Sequence, residues 1–299
     1  MLTSGMESPG KAALLMRRAA IASVCVAVTL TLLKAGAWFT SNSVAMLASM
    51  ADSGLDLLAS AANYVAIRQS LTPADHEHRF GHGKAEPLAG LGQTAFITFS
   101  ALFLIQQSIT RLLAPAPLEN SAAALVVMGV SIGATAALVW YQHHAIVASR
   151  STAIRADRAH YVGDLVGNMA VILGIAMAGL FGWLWADPVF ALGVAGMLLY
   201  SAFTVGRDSL DQLMDRELPD DDRSRIIRIV AAYPHVKGLR DLKTRMAGLS
   251  TFIQVNIYLD GAMALEESHT VTDGLEQALE KEFPGAEVII HQEPAPQPA

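Results

Sequence analysis

The sequence predicts a membrane protein with six transmembrane α-helices, all-α in its membrane part, followed by a small C-terminal α+β domain. Of its 299 residues, 53% are hydrophobic and only 16% are charged. The mean hydropathy of +0.38 is too high for an ordinary soluble domain of this length. Six apolar runs are each long enough to cross the hydrocarbon core of a bilayer, which needs about 20 helical residues. Charged residues return near residue 208, where a soluble domain is expected to begin.

The six predicted spans are apolar runs separated by short polar segments: 18–39, 44–67, 87–111, 121–145, 158–182 and 187–206. Basic residues cluster before the first, after the second and after the fourth of them: Lys11, Arg17, Arg18, Arg68, Arg79, Lys84, Arg150, Arg155 and Arg158. The opposite side has only Lys34 and Arg111. The positive-inside rule therefore predicts that both termini are cytoplasmic. Residues 1–17 would be a cytoplasmic N-terminal segment, and residues 18–207 the transmembrane domain.

Residues 208–292 have the pattern helix, strand, strand, helix, strand. Pro219 and the acidic run that follows it are typical of a helix start. The segment STFIQVNIYLD alternates apolar and polar residues as a half-buried strand does, ALEESHTVTDGLEQALEKEF has helical periodicity, and AEVIIHQ is a short strand. The Pro-rich end, residues 293–299, is predicted to be a disordered tail.

Ionisable side chains interrupt two of the spans at helical spacing. Asp52 and Asp56 lie four residues apart in the second span, and His160 and Asp164 in the fifth. Residues at i and i+4 share one face of a helix, so each pair points in one direction. An aspartate at the centre of a transmembrane helix costs about 2.5–3.5 kcal/mol, so these residues need a compensating partner. A divalent cation supplies it, and three carboxylates with one imidazole suit zinc better than calcium.

The same residues allow other interpretations. A single acidic residue in a span often forms a helix–helix hydrogen bond or lies near the membrane interface, although two separate pairs of ligand types weigh against this. Coupling to protons or sodium without a metal also stays open. His160 favours a transition metal, but an imidazole can also relay protons.

The loop after the second span, LTPADHEHRFGHGKAEPL, is dense in side chains that bind metals. It contains Asp75, His76, Glu77, His78 and His82, and a glycine on each side of His82 allows a sharp turn. This clustering predicts a second metal site. The alternative is a His-rich loop that is simply solvated.

Charge and motifs exclude several functions. The net charge of -6 and the pI near 5.8 leave no basic surface for nucleic acid. The sequence has no P-loop, which argues against an ATP-driven pump. Cys25 is the single cysteine, so neither an intrachain disulfide nor a multi-cysteine metal cluster can form. We therefore expect no nucleic acid or nucleotide partner.

These motifs together resemble the cation diffusion facilitator family, and within it the bacterial zinc exporters. The resemblance runs from the first span to VIIHQEP, and its most specific marks are DSGLD, HYVGD, PADHEHRFGHGKAEPLA and LMDRELPD. It implies a homodimer in the bacterial inner membrane. It also implies that the C-terminal domain is cytoplasmic, with a ferredoxin-like fold similar to that of metallochaperones.

The resemblance further implies roles for individual residues. A transport site within the membrane would be formed by Asp52, Asp56, His160 and Asp164. A second site in the loop would be formed by Asp75, His78 and His82, leaving His76 and Glu77 without an assigned role. Lys84 would pair with Asp215 and so interlock the membrane and cytoplasmic domains.

A further metal site in the cytoplasmic domain is implied, but the sequence matches it incompletely. His269, His291 and Glu293 are present. Where the resemblance leads us to expect histidines, this chain has Arg240 and Asn256. Arginine cannot ligate a metal, and an amide oxygen is a weak zinc ligand beside imidazole. We therefore expect Arg240 to lie close to Glu293 and to take the place of a cation; the alternative is an exposed Arg240 at a strand end.

Resemblance and residues together predict an exporter of Zn2+, or of Cd2+, Fe2+ or Co2+, driven by protons and with no cofactor beyond the transported ion. The ligands must be deprotonated to hold a metal, so protonation releases it. The alternatives are a membrane-anchored metal sensor and a sodium/proton antiporter. Six spans with buried ligands are more than an anchor requires.

Overall fold

The described part of the chain forms a bundle of six long helices followed by a small α+β domain. The computed structural model describes residues 9–41, 44–114, 122–183 and 185–296. The helices of the bundle are α1 (Pro9–Ser41), α2 (Val44–Ser70), α3 (Ala85–Leu113), α4 (Ala122–Ser149), α5 (Thr152–Phe181) and α6 (Ala186–Leu213). The shortest of them has 27 residues. At 1.5 Å per residue it is about 40 Å long, more than enough to cross a bilayer.

The helices extend beyond the predicted spans. Helix α1 begins at Pro9, within the predicted N-terminal segment 1–17, and α6 continues to Leu213, beyond the predicted boundary at residue 207. Residues 1–8 lie outside the described part of the chain. The predicted spans follow hydropathy and so mark the hydrocarbon core, whereas the backbone stays helical as it leaves that core.

Among the described residues, three helices have both the length and the apolar composition to cross a membrane: Gly10–Phe39, Ala85–Leu113 and Ala186–Leu213. Helices α2 and α5 instead carry the charged residues that the sequence analysis singled out. This is the pattern expected of helices that place ionisable groups inside a bundle, where neighbouring helices cover them.

Within the bundle, α3 packs against α6, α1 against α2, and α5 against α6. The contact between α3 and α6 depends on a small residue. A Cβ atom added at Gly90 would lie 2.4 Å from the hydroxyl oxygen of Ser209, so a larger residue would require the Ser209 side chain to shift. One apolar core lies between α3, α5 and α6 and includes Ile97, Val194 and Leu198.

The C-terminal domain follows the predicted order of helix, strand, strand, helix, strand. Its elements are α7 (Asp220–Ala232), β1 (Gly238–Ala247), β2 (Ser250–Leu259), α8 (Leu265–Glu282) and β3 (Ala286–Pro294). The sheet order is β1-β2-β3; β1 and β2 are antiparallel, and β2 and β3 are parallel across the α8 connection. The two helices and the sheet enclose a core of their own that includes Ile226, Val255 and Leu275.

The predicted disordered tail, residues 293–299, is wrong at its beginning. Strand β3 continues through Glu293 to Pro294, which pairs with Leu259 of β2. The backbone N–H of Ala295 then donates to the carbonyl of Leu259 at 2.8 Å. Proline is tolerated there because it lies at the end of an edge strand, where no further ladder bond is lost. Residues 297–299 lie outside the described residues.

Candidate metal centres

Two facing helices bring three of the four predicted membrane ligands together. The Nε2 atom of His160 lies 3.0 Å from Oδ1 of Asp56 and 3.5 Å from Oδ2 of Asp164. One ligand atom from each residue lies within 4.8 Å of the others. We call these three residues the intramembrane cluster. Their spacing is close enough for one small cation to contact all three side chains.

Asp52, the fourth predicted ligand, lies outside this group of three. Its side chain lines the same cavity as Asp56 and Asp164, one helical turn from Asp56. Zinc sites are four-coordinate, so the cluster leaves one position for a further ligand or water. Asp52 lines the cavity next to that position, and the structure brings together only the other three ligands.

The cavity beside the cluster has a volume of about 540 Å³ and runs toward the end of the bundle that is remote from the C-terminal domain. Its lining includes Lys34 near the end of α1 and Asp187 near the start of α6. Lys34 donates to the hydroxyl of Ser53 at 2.5 Å, so its ammonium group points inward. Arg111 pairs with Asp187 at 2.8 Å. The cavity lining thus includes carboxylates and the ammonium group of Lys34.

His160 is held between its ligand partners and aromatic rings. Its ring makes an edge contact with Phe96, with centroids 5.5 Å apart, and lies beside Tyr161. Only 5% of His160 is exposed. The rings leave the imidazole few other orientations, so Nε2 stays directed toward the two carboxylates.

The three predicted loop ligands also lie together. Asp75 approaches Nδ1 of His78 at 3.5 Å and Nε2 of His82 at 3.3 Å. One ligand atom from each lies within 4.8 Å of the others, and we call them the loop cluster. His76 and Glu77 lie outside it. Among the described residues, these two clusters are the groups of three or more His, Cys, Asp or Glu side chains close enough to share a metal ion.

Backbone geometry organises the loop cluster. Asp75 accepts hydrogen bonds from the backbone N–H of His78 at 2.6 Å and of Glu77 at 2.9 Å. These bonds, chiefly the one from His78, hold the pKa of Asp75 below its ordinary value. Gly81 has a φ of 77°, which allows the chain to turn back toward Asp75. The buried Nδ1 atom of His82 has no hydrogen-bond partner among the described residues, whereas its Nε2 atom faces Asp75.

The loop cluster abuts the C-terminal domain. Phe80 contacts Phe252 edge to face, and the guanidinium of Arg245 lies over both rings. Lys84 pairs with Asp215 at 3.0 Å, and Arg245 lies 3.3 Å from the same carboxylate. The contact predicted between Lys84 and Asp215 is therefore present within one chain.

The three predicted cytoplasmic ligands do not form a common cluster in the described part of the chain. His269 lies beside Asp273 at 3.4 Å, whereas His291 lies 4.0 Å from Glu293. Glu293 instead accepts from Arg240 at 2.9 Å and from Asn256 at 3.3 Å. The expected proximity of Arg240 and Glu293 is therefore found, and a positive charge already occupies the position beside this carboxylate.

Comparisons with known proteins identify the family. The profile of the cation efflux transmembrane domain matches residues 20–214, and that of the cation efflux cytoplasmic domain matches residues 218–295. This chain belongs to the cation efflux family. The boundary between the two matches falls just after α6, where the bundle ends.

Similar members of the cation efflux family include proteins called cation-efflux pump FieF. The one from Shewanella oneidensis is 47% identical over 279 residues, which cover 93% of this chain and 94% of the relative. The one from Klebsiella pneumoniae is 43% identical over 281 residues, 94% of this chain and 93% of the relative. Among solved structures, the metal-bound C-terminal domain of the CzcD transporter from Thermotoga maritima is 28% identical, with a TM-score of 0.24, and covers 25% of this chain and 87% of its own.

Sequence reasoning missed several polar residues beside the intramembrane cluster. Asp157 is fully buried three residues before His160, on the same face of α5. The helical spacing 157, 160, 164 was the signal that could have revealed it. The inward turn of Lys34 could not be predicted, because a lysine near the end of a span commonly extends to the interface.

Proposed function

We propose that this protein is a secondary active transporter that exports a divalent metal cation from the cytoplasm in exchange for protons. Zinc fits the ligand types best, with cadmium, iron and cobalt as further candidates. The transporter would act as a homodimer in the bacterial inner membrane, with both termini in the cytoplasm. The match to the cytoplasmic domain of cation efflux proteins and the similarity to FieF pumps support this proposal.

One observation carries the proposal: Asp56, His160 and Asp164 converge beside a cavity inside the helix bundle. Two carboxylates and an imidazole within reach of one cation would be a costly arrangement in a bilayer without a cargo. A nitrogen ligand among oxygens favours zinc and its neighbours over magnesium or calcium.

Proton exchange follows from the chemistry of these ligands. An imidazole binds a metal only in its neutral form, and a carboxylate only when ionised. A metal that enters the cluster therefore displaces protons, and protons that enter from the other side displace the metal. The same three side chains would carry metal outward and protons inward in alternation.

The test is zinc flux into proteoliposomes across an imposed pH gradient. We expect zinc to accumulate against its gradient, with proton movement in the opposite direction, and Asp164→Asn to lose transport while remaining folded and dimeric. Sodium-driven flux that is indifferent to zinc would favour an antiporter of another kind. Zinc binding without flux in well-sealed vesicles would favour a sensor. Either result would refute the proposal.

A further inference from the structure

Five polar side chains lie buried between the intramembrane cluster and the C-terminal domain. They come from four helices, none is more than 2% exposed, and we call them the polar network: Ser23 of α1, Ser60 of α2, Gln142 of α4, and Asp157 and Tyr161 of α5. Buried polar groups inside a membrane domain are costly, so such a set calls for an explanation.

Hydrogen bonds connect these residues into one chain across the bundle. Asp157 Oδ2 accepts from the hydroxyl of Ser23 at 2.6 Å and from the amide of Gln142 at 2.8 Å. Tyr161 donates to the carbonyl of Ser23 at 3.2 Å and shares a hydrogen bond of 2.8 Å with Ser60. The network therefore ties α1, α2, α4 and α5 together at one level.

Tyr161 borders the cavity beside the cluster, whereas Ser23, Ser60, Gln142 and Asp157 are not part of the cavity lining. The cavity extends from Asp56 toward Lys34 and Asp187, at the remote end of the bundle. Ser60 follows Asp56 by one turn of α2, and Asp157 precedes His160 by about one turn of α5, both in the direction of the C-terminal domain.

An apolar layer lies between the polar network and the C-terminal domain. Met16, Ile67, Ala145 and Ile154 are all buried there, and Leu249 of the C-terminal domain packs against them. The cluster is thus reached from the remote end of the bundle, and the polar network and this layer close the path from the other end.

We propose that the polar network is the inner gate of the transport path, with Asp157 and Tyr161 as the positioning residues that hold it shut. This inference rests on the proposed function, because only a transporter needs access that alternates between two sides. In the closed state α5 is fastened to α1, α2 and α4. Metal would enter from the C-terminal side only after these hydrogen bonds part and the four helices separate.

The network is suited to opening because it is only partly satisfied. Asp157 Oδ1 and Gln142 Oε1 are buried and have no hydrogen-bond partner among the described residues. An unpaired buried acceptor is unfavourable, and water that enters the gate would satisfy both atoms. Opening would therefore exchange hydrogen bonds between helices for hydrogen bonds to water.

The test is the variant Tyr161→Phe, which removes one hydroxyl and leaves every charge and every metal ligand in place. Loss of one or two hydrogen bonds of ordinary strength should shift the equilibrium toward the open gate by about fivefold to tenfold. Tyr200→Phe is the matched control, since Tyr200 is 71% exposed on the outer surface of α6. If Tyr161→Phe does not fold, the second variant is Ser60→Ala, which removes the other partner of the hydrogen bond between Ser60 and Tyr161.

Access is measured with two reporter cysteines introduced singly after Cys25→Ser. Ala153→Cys lies in the buried layer below the network, and Ala191→Cys lines the cavity. A membrane-impermeant thiol reagent is applied to vesicles of each orientation, verified by proteolysis of the C-terminal domain. Opening of the gate should raise labelling at position 153 by about fivefold to tenfold and lower it at position 191.

Two results would overturn the inference. Labelling at position 153 that is unchanged in both Tyr161→Phe and Ser60→Ala would show that the network does not control access. A rise at both positions would show general loosening of the bundle instead of alternation. Neither labelling measurement depends on metal flux. A wild type that does not transport zinc would therefore count against the proposed function, whereas the labelling results test the gate separately.

Discussion

His160 is the side chain that separates a zinc-type site from an all-oxygen one. Its Nε2 atom lies between Asp56 and Asp164, and the aromatic rings beside it restrict its orientation. Imidazole nitrogen favours zinc and the later transition metals, whereas an extra carboxylate favours harder cations such as manganese. The selectivity of the proposed transporter should therefore depend on this one atom.

We predict that His160→Asp lowers the preference for zinc over manganese by at least tenfold. The reason is the replacement of a nitrogen ligand by a harder oxygen ligand. Competition between the two metals for flux into proteoliposomes measures it. His144→Asp, at an exposed histidine of α4, is the control and should leave the preference unchanged. An unaltered ratio in His160→Asp would mean that this histidine does not touch the cargo.

Asp52 poses a sharper question, because it lies in the cavity but outside the group of three. We predict that Asp52→Ala abolishes zinc transport, since a four-coordinate ion needs a fourth ligand and Asp52 is one turn from Asp56. The variant should still insert and dimerise. Zinc flux near the wild-type rate would show that water completes the coordination shell and that Asp52 has another role.

Both ligand clusters could be predicted from sequence because their residues are close along the chain or spaced at one helical turn. Asp56 and His160 come from different helices, but each carried a local signal: an ionisable residue in an apolar run. Asp157 carried the same signal only faintly, since it lies where α5 leaves the apolar run. Ser23 and Gln142 carried none, because serine and glutamine are common in helices and only the packing shows that they share a partner.

The loop between α2 and α3 packs directly against the β1–β2 hairpin, backbone against backbone. A Cβ atom added at Gly83 would lie 2.2 Å from the carbonyl oxygen of Ala247. Because that obstacle is backbone, no side chain can move aside to relieve it. The loop cluster at His82 is thereby held against the C-terminal domain.

We predict that Gly83→Ala separates the loop from the hairpin and uncouples the two domains. The added methyl group forces a backbone shift, which should raise amide hydrogen exchange in β1 and in residues 76–84 by at least tenfold. Gly92→Ala on α3 is the control, since a Cβ there meets nothing within 4 Å. Equal amide hydrogen exchange in Gly83→Ala and Gly92→Ala would show that the hairpin tolerates the backbone shift at Gly83.

The elements themselves were largely predictable, and their ends were not. The order of helices and strands in the C-terminal domain followed from alternation and periodicity. The end of β3 did not, because the composition of EPAPQPA indicates disorder, while the pairing of Pro294 with Leu259 is a tertiary contact. In the bundle, hydropathy located each helix but not the turns that extend past the hydrocarbon core.

At the scale of the whole molecule, the carboxylate of Asp215 makes one of the contacts that connect the bundle with the C-terminal domain. Partial burial alone would raise the pKa of Asp215, but Lys84 and Arg245 outweigh that effect and hold its pKa below the ordinary value of 3.8. A lowered folded-state pKa adds stability that is complete above the unfolded value and is lost as the pH falls through the folded value.

We predict that the stability difference between the wild type and Asp215→Asn is constant from neutral pH down to about pH 5 and shrinks toward zero at lower pH. Lysine and arginine side chains in general do not titrate in this range, so the change reports the carboxylate. Thermal unfolding in detergent at several pH values, with both proteins measured side by side, gives the difference. A difference that grows as the pH falls would contradict the assignment of Asp215 as the ionised partner.

The C-terminal domain itself carries the last prediction, which concerns Arg240. Its guanidinium lies 2.9 Å from Glu293, which raises the pKa of Arg240 further above its ordinary value, so the group stays charged at every pH of interest. A fixed positive charge beside the carboxylate of Glu293 repels a divalent cation at that position. Arginine also has no lone pair with which to bind the metal. We therefore predict that this domain binds at most one zinc ion per protomer, weakly, and that its dimer persists in chelator.

Calorimetry on the fragment 210–299, which contains the complete core of the domain, measures the binding, and sedimentation in chelator measures the dimer. The double variant Arg240→His, Asn256→His is the matched comparison. It removes the charge and supplies two imidazoles beside Glu293 and His291, so zinc affinity should rise at least a hundredfold. Tight binding of two zinc ions by the unaltered fragment, or a dimer that dissociates without metal, would show that other side chains of the assembled domain compensate for Arg240.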